Sequence, residues 1–144
     1  MKEYKVGIIG ATGMVGQRFI TLMENHPWFC LTVIAASARS AGKPYGEAAE
    51  KRWVMPSPIP ACARDLVVMD AVADAEKIAS LVDFCFCAVD MPKDEIRALE
   101  ERYAKLECPI VSNNSAHRWT EDVPMVVPEI NPEHLAVIPH QRKR

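Results

Sequence analysis

Glycine recurs at every third residue through "GIIGATGMVG", at positions 7, 10, 13 and 16, which is four of the six glycines in a 144-residue chain. Backbone stripped of Cβ atoms between an apolar run and an amphipathic one suits a dinucleotide pyrophosphate. One glycine makes the tight turn, a second lets the phosphates approach the main chain, and a third lets helix and strand pack closely. The spacing is GxxGxxG rather than GxGxxG, because Thr12 stands where the second glycine would be. Gly10, Thr12, Gly13, Met14, Val15 and Gly16 form the candidate cradle, with the free N–H groups and positive dipole end of the following helix facing the phosphates. A turn whose glycines serve packing alone is the plainer alternative.

Which dinucleotide binds is read at the end of the second expected strand. NAD sites there place an acid on the ribose hydroxyls, whereas a 2′-phosphate is repelled by an acid and sought by an arginine. The segment reads "AASARSAGK", with Ser37, Arg39, Ser40 and Lys43 and no acid before Glu47. Arg39 offers a planar fork of donors, the serines offer short hydroxyls and Lys43 adds charge, so NADP is favoured over NAD. A solvated basic loop is the simpler account of Arg39 and Lys43. Farther on, "SNNSAHR" follows an expected parallel strand and so emerges at the carboxyl edge of a sheet, where ligands bind. Asn113 and Asn114 can donate and accept there, although asparagine is also a common turn former.

The cysteines offer less. Cys30, Cys62, Cys85, Cys87 and Cys108 form no CxxC pair and have no histidines at ligand spacing, which argues against a zinc site and a disulfide framework. Structural free thiols are expected, with Cys85 and Cys87 on one face of a buried strand.

The elements that must position these residues follow from periodicity. Tyr4 to Ile9 reads as an interior strand, Met14 to Asn25 as a helix, and Cys30 to Ser37 as a second strand parallel to the first. Ala38 to Ala63, rich in proline and glycine, reads mostly as an irregular excursion, and loops this long are commonly functional. "DLVVMDA" is a further strand, Asp74 to Leu81 a short helix and "VDFCFCAV" a buried strand. Asp90 and Pro92 open a helix with an apolar stripe of Ile96, Leu99, Tyr103 and Leu106, and "CPIVSNNS" is the last strand. Beyond Asn114 the chain is proline-rich with no clear helix. The alternation predicts an α/β, Rossmann-type doubly wound, mostly parallel sheet with helices on both faces.

Composition sets the outer bounds. Apolar residues at 49% and charged residues at 25% suit a soluble globular protein, and a net charge of −2 gathers neither nucleic acid nor acidic lipid. The apolar runs fall short of the roughly 20 residues of a membrane span, and Met1 to Lys5 lack signal-peptide character, so a cytoplasmic location is expected. "HLAVIPHQRKR" ends on basic residues just after an apolar piece, as a frayed tail or a junction with a longer protein would.

Taken together, "GIIGATGMVGQRF", "AASARSAGK", "SNNSAHRW" and "VPMVVPEINPEHL" resemble aspartate-β-semialdehyde dehydrogenase of the archaeal and fungal branch, over nearly the whole chain. The resemblance implies that residues 1–144 are an NADP-binding Rossmann domain, with a second domain after 144 supplying catalysis and the contacts of a homo-oligomer. The implied reaction interconverts aspartate semialdehyde and aspartyl phosphate, with NADP and phosphate, on the route to lysine, threonine and methionine. In it a cysteine thiolate attacks the aldehyde, hydride leaves for nicotinamide, and phosphate cleaves the thioester. The resemblance also implies that the Asn113 and Asn114 region approaches the nicotinamide and that Arg118 helps to bind substrate phosphate.

The family's Asn-Cys nucleophile motif and its histidine partner are not here. The five cysteines follow Phe29, Ala61, Phe84, Phe86 and Glu107. The expectation is a chain that binds cofactor without turning over substrate alone, with no metal. His117 reads as a polar loop residue and Asn131 as the holder of a proline-rich turn. Malonyl-CoA reductase, N-acetylglutamyl-phosphate reductase and a stand-alone NADP-binding sensor remain alternatives. A nucleotide-sugar reductase would want a Tyr-x-x-x-Lys pair, which none of the three tyrosines supplies.

Overall fold

The computed structural model describes residues 2–143. Its centre is a five-stranded parallel sheet in the order β3-β2-β1-β4-β5, formed by β1 (Tyr4–Ile9), β2 (Phe29–Ala36), β3 (Met69–Asp70), β4 (Phe84–Cys87) and β5 (Ile110–Ser112). The order reverses between β1 and β4, which places a crevice at their carboxyl ends. Helices α1 (Met14–Met23), α2 (Tyr45–Ala49) and α3 (Ala61–Arg64) cover one face, and α4 (Ala75–Leu81) and α5 (Lys93–Lys105) cover the other. The expected doubly wound fold is what forms.

Alternation along the strands sorts the core into two layers. Val6, Ile8 and Ile34 pack with Ile20 and Met23 of α1, while Ile9, Val33, Ala35, Cys85 and Cys87 pack with Ile78 of α4 and with Leu99 and Tyr103 of α5. Between Val6 and Gly7 the register slips, so that Thr32 has no partner on β1 and Leu31 and Val33 point to opposite layers. Cys85 and Cys87 do share one buried face. All five cysteines are free; Cys85, Cys87 and Cys108 are buried, and Cys30 and Cys62 are exposed.

Three boundaries differ from the expected ones for local reasons. Helix α1 stops at Met23, because Asn25 takes a left-handed φ of 55°. The run "DLVVMDA" is divided: Val68 donates to the Lys43 carbonyl at 2.8 Å, and only Met69–Asp70 joins β2. The Asp70 carboxylate then accepts from the N–H groups of Val72 and Ala73, both at 2.9 Å, and ends the strand. The excursion of residues 38–63 is more ordered than its prolines suggest, with α2, a 3-10 turn at Glu50–Arg52 and the start of α3. Beyond β5, Pro132–Lys143 winds as successive 3-10 turns around Pro139. Asn131 bridges the strand-poor tail as expected, accepting from Val127 N–H at 2.7 Å and donating to the Met125 carbonyl at 2.9 Å. Among the described residues, no helix is long and apolar enough to cross a membrane, and no cluster of His, Cys, Asp or Glu could hold a metal ion.

Candidate cofactor site

The turn from β1 into α1 is built by three glycines with three different jobs. Gly10 has a φ of 86°, and a Cβ there would lie 2.3 Å from the Ala88 carbonyl oxygen. A Cβ on Gly16 would lie 2.2 Å from the Gly10 oxygen, so the first turn of α1 sits directly on the loop. Neither position admits a side chain. Gly13 is unlike both, because its backbone is ordinary, with φ −79°, and a Cβ would meet nothing closer than the Gly10 oxygen at 3.8 Å. Nothing inside the protein requires a glycine at 13.

Gly13 is also the residue that opens α1. No side chain caps the helix, and its first turn carries no acid. The N–H groups of the first turn therefore point, with the dipole, at the open space over Gly13. Met14 and Val15 are exposed beside it, and Thr12 is half-buried.

Two buried side chains brace this turn from below. The hydroxyl of Tyr45, wholly buried, donates to the Ala11 carbonyl at 2.7 Å. Burial pushes that phenol above its ordinary value, and the charge of Arg52 opposes the rise. The Gln17 amide donates to the carbonyls of Thr12 at 3.0 Å and Arg52 at 2.7 Å, and accepts from Val54 N–H at 2.9 Å. Gln17 and Tyr45 were not among the residues singled out from sequence. The available signal was a glutamine on the buried side of an amphipathic helix.

At the end of β2, Ser37 and Arg39 are exposed, as a reader of a 2′-phosphate must be. Ser40 is not. It is 2% exposed, and its hydroxyl accepts from Nη2 of Arg52 at 2.9 Å. Of the two serines, one faces outward and the other holds an arginine.

The loop after β5 leaves the same edge of the sheet, its Asn113 N–H bonded to the Cys87 carbonyl at 2.9 Å. Helix α5 holds it. Glu100, 7% exposed, accepts from the hydroxyl of Ser112 and from Nδ2 of Asn114 at 3.2 Å; the same amide nitrogen lies 3.4 Å from the Cys87 sulfur. Arg97 donates to the Ala116 carbonyl at 2.6 Å. Asn113 is exposed, and Arg118 is exposed with Nη2 on the Asn113 carbonyl at 3.3 Å, leaving most of its donors outward. His117 is taken by Thr120 at 3.0 Å, in keeping with a loop role.

No thiol is poised to act as a nucleophile at this edge. Burial first, then the neighbouring Glu100 carboxylate, pushes Cys87 up to about 12. Cys85 is raised further by its hydrogen bond to Cys108, 3.9 Å away between sulfurs, and by burial. Both are neutral at physiological pH.

Known proteins are similar to this chain in sequence and in fold. Residues 5–138 match the family model "Semialdehyde dehydrogenase, NAD binding domain". The chain is 44% identical over 141 residues to the aspartate-semialdehyde dehydrogenase of Archaeoglobus fulgidus, covering 98% of this chain and 39% of that protein. It is 35% identical over 143 residues to the malonyl CoA reductase (NADP) of Metallosphaera sedula, covering 99% of this chain and 38% of that one. Among solved structures, the aspartate semialdehyde dehydrogenase of Candida albicans with NADP superposes with a TM-score of 0.86 at 37% identity, over 99% of this chain and 38% of that one. The chain thus spans less than two-fifths of each relative. With its parallel sheet, its glycine turn and a family match across nearly all its residues, the chain belongs to the semialdehyde dehydrogenase NAD-binding domains.

Proposed function

We propose that this chain binds NADP across the carboxyl ends of β1, β2, β4 and β5, as the cofactor-binding part of an aspartate-semialdehyde dehydrogenase. The observation that carries the reading is the vacant Cβ position of Gly13 in front of the uncapped end of α1. A glycine with no internal reason to be one, at a helix N-terminus, fits a pyrophosphate lying on the main chain. Gly10, Thr12, Gly13, Met14, Val15 and Gly16 line that cradle. Ser37 and Arg39 then face the adenosine ribose, where an arginine in place of an acid supports NADP. Asn113 and Asn114 lie toward the nicotinamide half.

A cofactor held by these residues would supply the hydride chemistry. The chain's own residues hold and orient. Gly10 and Gly16 keep the turn tight, Tyr45 and Gln17 stiffen it, and Glu100 fixes Asn114 and Ser112 below the edge. Arg118, with its outward donors, suits the phosphate that adds to or leaves the substrate acyl group. No catalytic residue is assigned within this chain, because none of its cysteines follows an asparagine and those at the edge are held neutral. The reaction proposed for the whole enzyme is L-aspartate 4-semialdehyde with phosphate and NADP+ to aspartyl phosphate and NADPH, in a cytoplasmic homo-oligomer serving lysine, threonine and methionine synthesis.

Gly13→Ala tests the reading. With no contact to disturb, it costs the fold at most about 1 kcal/mol as a poorer N-cap residue, so the melting curve stays close to wild type. NADPH affinity by calorimetry falls about tenfold or more, since a methyl then occupies the phosphate's place. Unchanged NADPH affinity would mean that the glycines only shape a turn. A second reading, reduction of a CoA thioester, is favoured by the 35% identity to the malonyl CoA reductase. Assays of the longer enzyme with aspartate semialdehyde plus phosphate against malonyl-CoA separate the two.

A further inference from the structure

The Arg52 side chain has a position that its place in the sequence does not suggest. It ends the 3-10 turn Glu50–Arg52, well past β2, yet two sets of hydrogen bonds fix it between the glycine turn and the loop after β2, the two ends of the proposed adenosine site. On one side its own carbonyl and that of Thr12 share the Gln17 amide nitrogen, at 2.7 and 3.0 Å, so its main chain lies one side chain away from the glycine turn. On the other side its guanidinium reaches Ser40 in the loop after β2, Nη2 to Oγ at 2.9 Å, with a second bond to the Ala48 carbonyl at 3.1 Å. A ribose joined to a pyrophosphate over Gly13 and reaching the end of β2 would span the same two elements that Arg52 links.

The charge is available as well. Arg52 is exposed, and among the described residues it forms no salt bridge; the two recorded pairs are Arg102 with Glu76 and His117 with Glu101. Among the described residues only Nη2 of its guanidinium finds an acceptor, which leaves Nη1 and Nε open to donate. Both forked edges of a guanidinium include Nη2, so the two open nitrogens offer single donors rather than a parallel pair: Nη1 and Nε each keep an N–H to aim at a phosphate dianion, and the permanent positive charge strengthens either bond. Ser40, buried beneath it, is too enclosed to reach a ligand and instead sets the plane of the guanidinium.

We propose that Arg52 is a second arginine of the 2′-phosphate site, positioned by Ser40, and that with Arg39 it selects NADPH over NADH. This rests on the NADP reading above and adds to it a residue from the excursion. It also gives that segment a role: residues 38–63 carry the brace of the glycine turn and a cation for the cofactor on one strip of chain.

The test is calorimetric titration of NADPH and NADH into the 144-residue chain as wild type, Arg52→Met and Arg52→Lys, each checked by its melting curve. Arg52→Met is expected to weaken NADPH by about tenfold or more, the scale of a charge-assisted hydrogen bond, and to leave NADH within about twofold. Arg52→Lys keeps the charge but loses the planar donors that Ser40 holds in place, and falls between. Equal weakening of both cofactors would make Arg52 a structural part of the turn and overturn the proposal, as would an unchanged preference in Arg52→Met. A wild-type chain without preference for NADPH overturns the NADP reading itself, and the role of Arg52 with it. The two failures are therefore distinguishable by the wild-type titration alone.

Discussion

The glycine turn after β1 and the loop after β5 leave one edge of one sheet, but they are braced by different chemistry. Under the turn the braces are neutral: the Tyr45 hydroxyl and the Gln17 amide, both buried. Under the loop the brace is an acid, Glu100, and helix α5 adds Arg97. The difference follows from what each place must hold. A turn meant for phosphates has to be stiff without bringing negative charge near them, because a buried carboxylate acts over several ångströms in a medium of low polarity. Amide and hydroxyl dipoles stiffen it at no electrostatic cost. At the far end of the edge no phosphate of the cofactor is expected, and a carboxylate can gather a hydroxyl, an amide and a thiol around itself.

The comparison breaks most sharply at Gly16. Alanine there drives a Cβ to 2.2 Å from the Gly10 oxygen, a backbone atom that cannot swing aside, so Gly16→Ala is expected to lose about 3 kcal/mol or more. Urea unfolding measures this, with wild-type-like stability as the result that would deny the packing account. Gly13→Ala, three residues away, should leave stability nearly intact and weaken NADPH binding about tenfold or more. That contrast separates a glycine needed by the fold from one needed by a ligand.

Tyr45→Phe is the milder cut. It strands the buried Ala11 carbonyl, for about 1–3 kcal/mol. Hydrogen exchange should quicken in the glycine turn and stay unchanged in residues 113–118. Equal loosening at both places would show that the edge moves as one unit.

Glu100→Gln is the smallest change and sharpens the other half. Glutamine keeps an acceptor for Ser112 and Asn114 while removing a charge beside Cys87, so stability at neutral pH changes by less than about 1 kcal/mol. The readout is the thiol. The wild-type Cys87 value is raised from 9.0 to about 12, so its contribution to stability is intact below pH 9.0 and is lost as the pH climbs toward 12. In Glu100→Gln the thiolate absorbance should appear at lower pH and the alkaline loss of stability should shrink. Burial, the larger cause, still holds the value above 9.0. An unmoved thiol titration would show that the Glu100 charge does not reach Cys87.

Much of this was legible because the signals were local. Strand alternation, the helical stripe of α5 and the glycine spacing each lie within a dozen residues, and each formed near its expected place. Ser40 is the instructive exception. Its type and neighbours matched a phosphate reader, but its hydroxyl faces Arg52, and no neighbouring residue could have revealed that.

By itself the sequence determined the order of strands and helices, the opening of the glycine turn and the lack of an acid after β2, since these depend on period, on missing Cβ atoms and on charge. Only the tertiary structure decided what holds the site together. Tyr45 meets Ala11 across 34 residues and Gln17 meets Arg52 across 35, while Glu100 gathers Ser112 of β5 and Asn114 of the loop after it, and Asn114 in turn reaches Cys87 of β4. Such contacts leave no periodic mark. A buried donor bonds to whichever acceptor the packed chain brings within about 3 Å, and that choice is made by the fold as a whole.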